Sequence, residues 1–181
     1  MSVGGAAALS LSTSREVECG AAPVLATAGD AVRARLLAED LAKRFPENTT
    51  LQFCCLPTIQ ARIALSRSDP AKAIEFLQAA APYELGMGSL YPAYRRGEAY
   101  LVAHRGSEAA AEFQKILDHR GIVGNGLIGA LAHLQIGRAY AMQGETAKAA
   151  AAYLDFFTLW KDADPDIPIL IAAKAEYAKL K

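Results

Sequence analysis

The chain lacks an excess of charge of either sign. Its 19 lysine and arginine residues balance its 19 aspartate and glutamate residues, and no run of basic residues occurs. Nucleic acids and anionic membrane surfaces bind proteins through concentrated positive charge, so neither is expected as a main partner. No apolar stretch approaches the roughly 18 residues that a membrane-spanning helix needs, so we expect no membrane insertion by this chain. Residues 1–14 have no basic region of the kind that opens a signal peptide.

Cysteine is scarce: the sequence contains Cys19, Cys54 and Cys55. An odd number with one adjacent pair is not the pattern of a disulfide framework, and no Cys-x-x-Cys spacing of a zinc site occurs. We therefore expect three small apolar side chains, buried or half-buried, and no metal site.

Catalytic motifs are missing as well. The sequence has no phosphate loop Gly-x-x-x-x-Gly-Lys-Ser/Thr, no Gly-x-Gly-x-x-Gly turn, no Gly-x-Ser-x-Gly elbow and no His-Glu-x-x-His helix. The histidines, His104, His119 and His133, have no second ligand at helical spacing. We expect no catalytic residue and no cofactor, so the sequence favours binding over chemistry.

Small and aromatic residues instead recur at helical spacing. The clearest copy runs through Leu134–Tyr140, and aligned copies place their anchor alanines at Ala34, Ala73, Ala109 and Ala149. The steps of 39, 36 and 40 residues exceed the ~34 residues of a regular tetratricopeptide (TPR) repeat. The pattern is typical of TPR-like hairpins with longer loops or helices.

The predicted fold is therefore all-α: a right-handed α-α superhelix of roughly four TPR-like hairpins, closed by a C-terminal capping helix. Residues 1–14 are read as a remnant of an upstream helix or as disordered, 15–165 as the hairpin array and 166–181 as the cap. Pro23 must either start its helix or kink it. Helices are predicted near residues 16–28, 31–45, 50–67, 70–81, 89–104, 107–118, 127–143, 145–161 and 167–180.

Several longer stretches together resemble one family. They are Leu41–Pro46, Asp69–Glu75, Ala81–Leu85, Glu112–Val123, Ala130–Tyr140 and Leu159–Leu170. They resemble the C-terminal helical-repeat region of bacterial eukaryotic-like serine/threonine protein kinases, over most of the chain. The resemblance implies an upstream catalytic domain, often beyond a membrane helix, and a tail that docks or senses. No motif of that catalytic domain occurs here. The compartment expected for the isolated chain is the cytoplasm by default.

The first helix of a TPR-like hairpin lines the concave side of the array. The residue after the small residue Ala61, Gly97 or Gly137 of a first helix should then face the groove. These residues are Arg62, Glu98 and Arg138, with Tyr91, Tyr94 and Leu134 beside them. These three charges either grip a peptide of mixed charge or form an Arg–Glu–Arg ladder worth about 0–1 kcal/mol per exposed pair.

The sequence thus predicts a non-catalytic scaffold that binds a protein or peptide. The alternatives are a purely structural or dimerisation module of the parent kinase, or a phosphotransferase in its own right. Ala6, Ala8, Leu9 and Leu11 provide apolar surface at the start of the array. A hairpin array needs both ends covered, so we expect the N-terminal face to be disordered up to about Arg15 or covered by a second copy in a homodimer.

Overall fold

A computed structural model describes residues 2–86 and 90–180, and within these ranges the chain contains helices and no strand. A π-helix, Leu51–Cys55, runs directly into α4, and a 3-10 turn, Ala81–Tyr83, follows α5. The prediction of an all-α fold is confirmed. The α-helices are α1 (Ser2–Leu11), α2 (Arg15–Thr27), α3 (Ala31–Arg44), α4 (Leu56–Ser66), α5 (Pro70–Gln78), α6 (Tyr91–Val102), α7 (Gly106–Asp118), α8 (Arg120–Val123), α9 (Leu127–Met142), α10 (Thr146–Leu159) and α11 (Pro168–Ala178).

Four helical hairpins stack in order along the chain. They pair α2 with α3, α4 with α5, α6 with α7, and α9 with α10. The first helices α2, α4, α6 and α9 also pack on one another in succession, so they form the inner layer of the array. Helix α1 packs on α2 at one end, and α11 packs on α10 at the other. The array is TPR-like, as the spacing of small residues predicts.

Glycines bring the two helices of a hairpin close together. A Cβ atom placed on Gly97 would lie 2.6 Å from the ring of Phe113, and one on Gly137 would lie 3.1 Å from the ring of Tyr153. Both aromatic rings are buried. The recurrence of a glycine with a later aromatic residue therefore encodes the interlocking of paired helices.

Every hairpin turn contains one residue with left-handed backbone geometry. The φ angles are 94° at Gly29, 59° at Ser68, 57° at His104 and 76° at Gly144. Asp69 follows Ser68 and accepts a hydrogen bond from the Lys72 backbone amide at 2.9 Å, which caps α5. The four turns share one geometry although only two of them contain glycine.

The structure specifies Pro23, the stretch between α7 and α9, and the N-terminal segment more closely than the sequence does. Helix α2 starts after Ser14 and runs through Pro23, so it does not begin at the proline. Between α7 and α9, where no helix is predicted, the chain forms the single helical turn α8. Residues 2–11 form helix α1, with Gly5 buried and Leu9 packed on the apolar cluster of α2–α4, so this part of the N-terminal segment is ordered.

The expectation of three unpaired cysteines is wrong. Cys19 on α2 and Cys55, just before α4, form a disulfide with their Cα atoms 5.8 Å apart. They are 36 residues apart in sequence, which is about one repeat, and the packing of α2 on α4 brings them together. Cys54 is a buried free thiol.

A buried ion network holds the connection between α5 and α6. Arg96 on α6 donates to both carboxylate oxygens of Glu84, at 2.6 and 3.1 Å, and to the Leu77 carbonyl at 2.9 Å. Glu112 on α7 accepts from the other side of the same guanidinium at 2.7 Å, and Lys115 reaches Glu84 at 3.2 Å. This network ties the segment around Glu84 to α6 and α7.

Candidate functional site

The inner layer of the first two hairpins contains a groove of about 870 Å³. Helix α2, the π-helix and α4 form most of its walls, and the first turn of α6 completes it. Its lining residues are Arg15, Glu16, Cys19, Gly20, Pro23, Val24, Thr27, Ala28, Asn48, Thr50, Leu51, Cys54, Cys55, Thr58, Arg62, Tyr91, Pro92 and Arg95.

Much of this groove is apolar. Pro23, Val24 and Leu51 line it together with the Cys19–Cys55 disulfide. Tyr91 is placed there because buried Leu90, with a φ of 62°, turns the chain into α6. The Tyr91 side chain is 43% exposed, so its ring can contact a bound molecule.

Two arginines in the groove share one carboxylate. Arg62 donates to Glu98 Oε2 at 3.3 Å and Arg95 donates to the same oxygen at 2.7 Å. Arg62 is oriented further by Thr27 Oγ1, which accepts from its Nε at 3.2 Å and from its Nη2 at 2.9 Å. Burial lowers the pKa of Arg62 despite the opposing effect of Glu98. A further carboxylate would therefore be favourable beside these half-buried guanidinium groups.

The third groove arginine is paired locally. Arg15 forms an ion pair with neighbouring Glu16, and its guanidinium lies 5.7 Å from the centre of the Phe45 ring. Arg62 and Arg95 carry two positive charges but share the single carboxylate of Glu98. The excess positive charge of the groove therefore lies on this pair.

Three of the predicted site residues come together at this groove. Arg62 and Tyr91 line it, and Glu98 bridges Arg62 to Arg95. Arg95 itself did not enter the prediction, although it lies three residues before Glu98, a spacing at which opposite charges pair on a helix.

Tyr94 and Leu134 lie in the core and do not reach the groove. Tyr94 is 3% exposed and packs edge-on against Phe113 with ring centres 5.6 Å apart. Burial, reinforced by Glu98, raises the pKa of Tyr94 to about 12, and its hydroxyl accepts a hydrogen bond from Gln135. Leu134 is 0% exposed and belongs to the cluster between α9, α10 and α11. Tyr94 is thus enclosed by α6, α7 and α9, and Leu134 by α9, α10 and α11.

Arg138, the predicted site residue of the fourth hairpin, is covered by the capping helix. Its Nε and Nη2 donate to the two carboxylate oxygens of Glu176 on α11, both at 2.8 Å. The Tyr153 hydroxyl donates to the same carboxylate at 2.7 Å. Of the predicted Arg–Glu–Arg ladder, the Arg62–Glu98 pair forms, whereas Arg138 pairs with Glu176.

Comparison with known proteins agrees with this architecture. The chain is similar to the crystal structure of nearly identical TPR-like repeats of a kinesin light chain from Podospora anserina, with a TM-score of 0.65 and 14% sequence identity. The alignment covers 91% of this chain and 84% of that chain. At this identity the likeness establishes a TPR-like repeat fold. No protein-family model and no curated protein matches the sequence.

Two further observations bear on the chemistry of the site. Across residues 2–86 and 90–180, no His, Cys, Asp and Glu side chains gather in a group of three or more suited to a metal ion. Over the same part of the chain, no helix has the length and hydropathy needed to cross a bilayer.

Proposed function

We propose that this chain is a non-catalytic scaffold that binds a protein segment in the groove of its first two hairpins. The observation that supports this most directly is the combination of an apolar lining with two guanidinium groups that share one carboxylate. TPR-like arrays generally use their concave surface for binding partners.

The groove chemistry defines the kind of segment. Pro23, Val24 and Tyr91 favour apolar or aromatic side chains, whereas Arg62 and Arg95 favour an Asp or Glu side chain placed among them. The proposed partner is therefore a peptide with two or more apolar residues and a carboxylate within a few positions.

The family resemblance adds a context to this proposal. In it, the chain is the docking or sensing tail of a serine/threonine kinase, and the bound segment belongs to a protein that the kinase recognises. The competing phosphotransferase hypothesis has a direct test. Purified chain incubated with labelled ATP and a generic protein substrate should show no transfer above background, and sustained transfer would contradict a scaffold role.

The binding test uses fluorescent peptides of one length that carry apolar residues with Glu, Gln or Lys at a central position. We expect only the Glu series to bind with appreciable affinity, measured by anisotropy. Arg62→Glu should weaken that binding about tenfold or more, because it replaces a cation that would pair with the peptide carboxylate by a repelling charge.

The matched control is Arg35→Glu. Arg35 lies on the outer helix α3 and forms an exposed pair with Glu39, so this charge reversal should leave peptide affinity unchanged. Equal affinity of the Arg62→Glu variant and the natural chain for the Glu peptides would place binding elsewhere.

A further inference from the structure

We propose that the Cys19–Cys55 disulfide is a reversible thiol-exchange site that controls the shape of the groove, and that the oxidised form is the binding form. The biological meaning of this control rests on the function proposed above. Its structural basis is the position of the disulfide in the groove wall.

The disulfide is reachable from the groove. Cys19 and Cys55 both line it and both keep part of their surface exposed. The groove volume of about 870 Å³ is large enough for a low-molecular-weight thiol. Reduction therefore does not require unfolding of the array.

The exchange follows the ordinary chemistry of thiols. The thiolate of a low-molecular-weight thiol attacks one cysteine sulfur, forms a mixed disulfide with it and releases the other cysteine as a thiolate that takes up a proton. A second thiol molecule attacks the mixed disulfide. The protein gains two thiols, and the two small thiols leave as their own disulfide. Reoxidation by a small-molecule disulfide reverses both steps.

Cys54 does not compete in this exchange, although it is the neighbour of Cys55. Its side chain is buried, and burial, reinforced by the nearby charge of Glu84, raises the pKa of the thiol. A protonated thiol is a poor nucleophile, so Cys54 stays reduced while Cys19 and Cys55 exchange.

The crosslink acts on an unusual element. Cys55 is the last residue of the π-helix Leu51–Cys55, whose wide turns are rarely stable in isolation and often occur at functional sites. The disulfide ties this element to α2 within the groove wall. Ala22, Leu25 and Ile59 remain packed between α2 and α4 when the crosslink opens, so the array stays folded while this part of the groove wall is released.

Three measurements on the full chain test the proposal, each before and after reduction by excess dithiothreitol. The reductant is removed without air before labelling, because its thiols would consume the maleimide. Labelling with a maleimide under native conditions, read by mass spectrometry, should add no label to the oxidised chain and two to the reduced chain. Amide hydrogen exchange should become faster at residues 51–55 on reduction. The dye 8-anilinonaphthalene-1-sulfonate, which combines apolar rings with an anion, should bind the reduced groove about threefold or more weakly, because pre-organisation is lost.

Two variants provide the controls. A chain with both Cys19→Ala and Cys55→Ala should resemble the reduced form and should not respond to dithiothreitol, whereas Cys54→Ala should keep the full response. Equal exchange rates and equal dye affinity in the two redox states would overturn the proposal, as would a response that persists without Cys19 and Cys55. Failure of all peptides in both states would overturn only the proposed function, because none of these readouts involves a peptide.

Discussion

At the scale of single residues, the helical hairpins depend on positions where a glycine of one helix faces a buried aromatic ring of the other. Gly97 faces the ring of Phe113 closely enough that any Cβ would overlap it. Phe113 is itself buried among α6, α7 and α9 and has little room to move. A glycine in the middle of a helix, normally unfavourable, is here the condition for close packing.

Gly97→Ala should therefore destabilise the fold by about 1–3 kcal/mol, since the ring and the backbone must move apart. The control is Gly20→Ala on α2, where an added Cβ meets nothing within 4 Å. That change should be neutral or stabilising by up to about 1 kcal/mol, because alanine favours helix. Urea denaturation monitored by circular dichroism measures both. Equal stability of the two variants would show that α6 and α7 are less tightly packed than described.

At the scale of elements, the segment around Glu84, which follows α5, is held to α6 and α7 by ion pairs. Glu84 is buried on an irregular segment. The guanidinium of Arg96, also buried, donates hydrogen bonds to both of its carboxylate oxygens. Removing one partner of a buried pair leaves the other charge without compensation.

Arg96→Met should accordingly lower the free energy of unfolding by about 3–5 kcal/mol, while combining it with Glu84→Leu should restore a large part of that loss. Arg35→Met, which removes an exposed pair with Glu39, should cost less than about 1 kcal/mol. Thermal and urea unfolding of the natural chain and these three variants measure the differences. A double variant no more stable than Arg96→Met would contradict the assigned pairing.

Some features of this structure could be predicted from the sequence and others could not, and the difference has physical reasons. Helix pairing could be predicted because Gly97, Phe113 and their equivalents repeat at fixed offsets. The groove residues Arg62 and Tyr91 followed from the inner position of first helices. The disulfide could not be predicted, because it joins two helices of different hairpins and depends on how α2 lies on α4. The pairing of Arg138 with α11 likewise depends on where the capping helix docks, which no local spacing specifies.

The docking of α11 should respond to acid. Burial disfavours the charged form of Glu176, but hydrogen bonds from Arg138 and Tyr153 outweigh it, and the pKa is lowered from its ordinary value of 4.5. A lowered pKa in the folded chain gives stability that is complete above the ordinary value and is lost as the pH falls through the folded value. Comparing melting temperatures of the natural chain and Glu176→Gln should show a gap at pH 7 that narrows as the pH falls below the ordinary value and closes below the lowered pKa of the folded chain. For Glu75→Gln, which removes an exposed pair with Lys72, the gap should be small at every pH. A gap for Glu176→Gln that is constant with pH would exclude this role of the carboxylate.

At the scale of the whole molecule, the two halves of the inner surface differ. In the N-terminal half, Arg62, Arg95 and Tyr91 are grouped around an open groove. In the C-terminal half, Arg138 is already held by Glu176 of the capping helix. Glu176 of α11 thus pairs with Arg138 of the fourth hairpin in the same way as the peptide carboxylate is proposed to pair with Arg62 of the second hairpin. Reversing Arg138 is consequently expected to loosen the cap, whereas reversing Arg62 is expected to affect binding.

The first hairpin, at the N-terminal end of the array, carries exposed apolar side chains on α3, and the end of α1 adds another. Val32 and Leu36 lie one turn apart on α3 and are 60% and 53% exposed, and Leu11 at the end of α1 is 87% exposed. Helix α1 covers part of α2 through Gly5 and Leu9, so the end is incompletely capped. Terminal faces of repeat arrays are normally polar, and exposed apolar groups there favour association.

We therefore predict a homodimer through this end, seen as a doubled mass by light scattering at tens of micromolar chain. Leu36→Lys combined with Val32→Lys should shift the chain to monomer without lowering its helix content. Leu159→Lys, which changes a 58% exposed leucine on α10, should leave the mass unchanged. A natural chain that stays monomeric over the whole concentration range would mean that α1 alone closes the array.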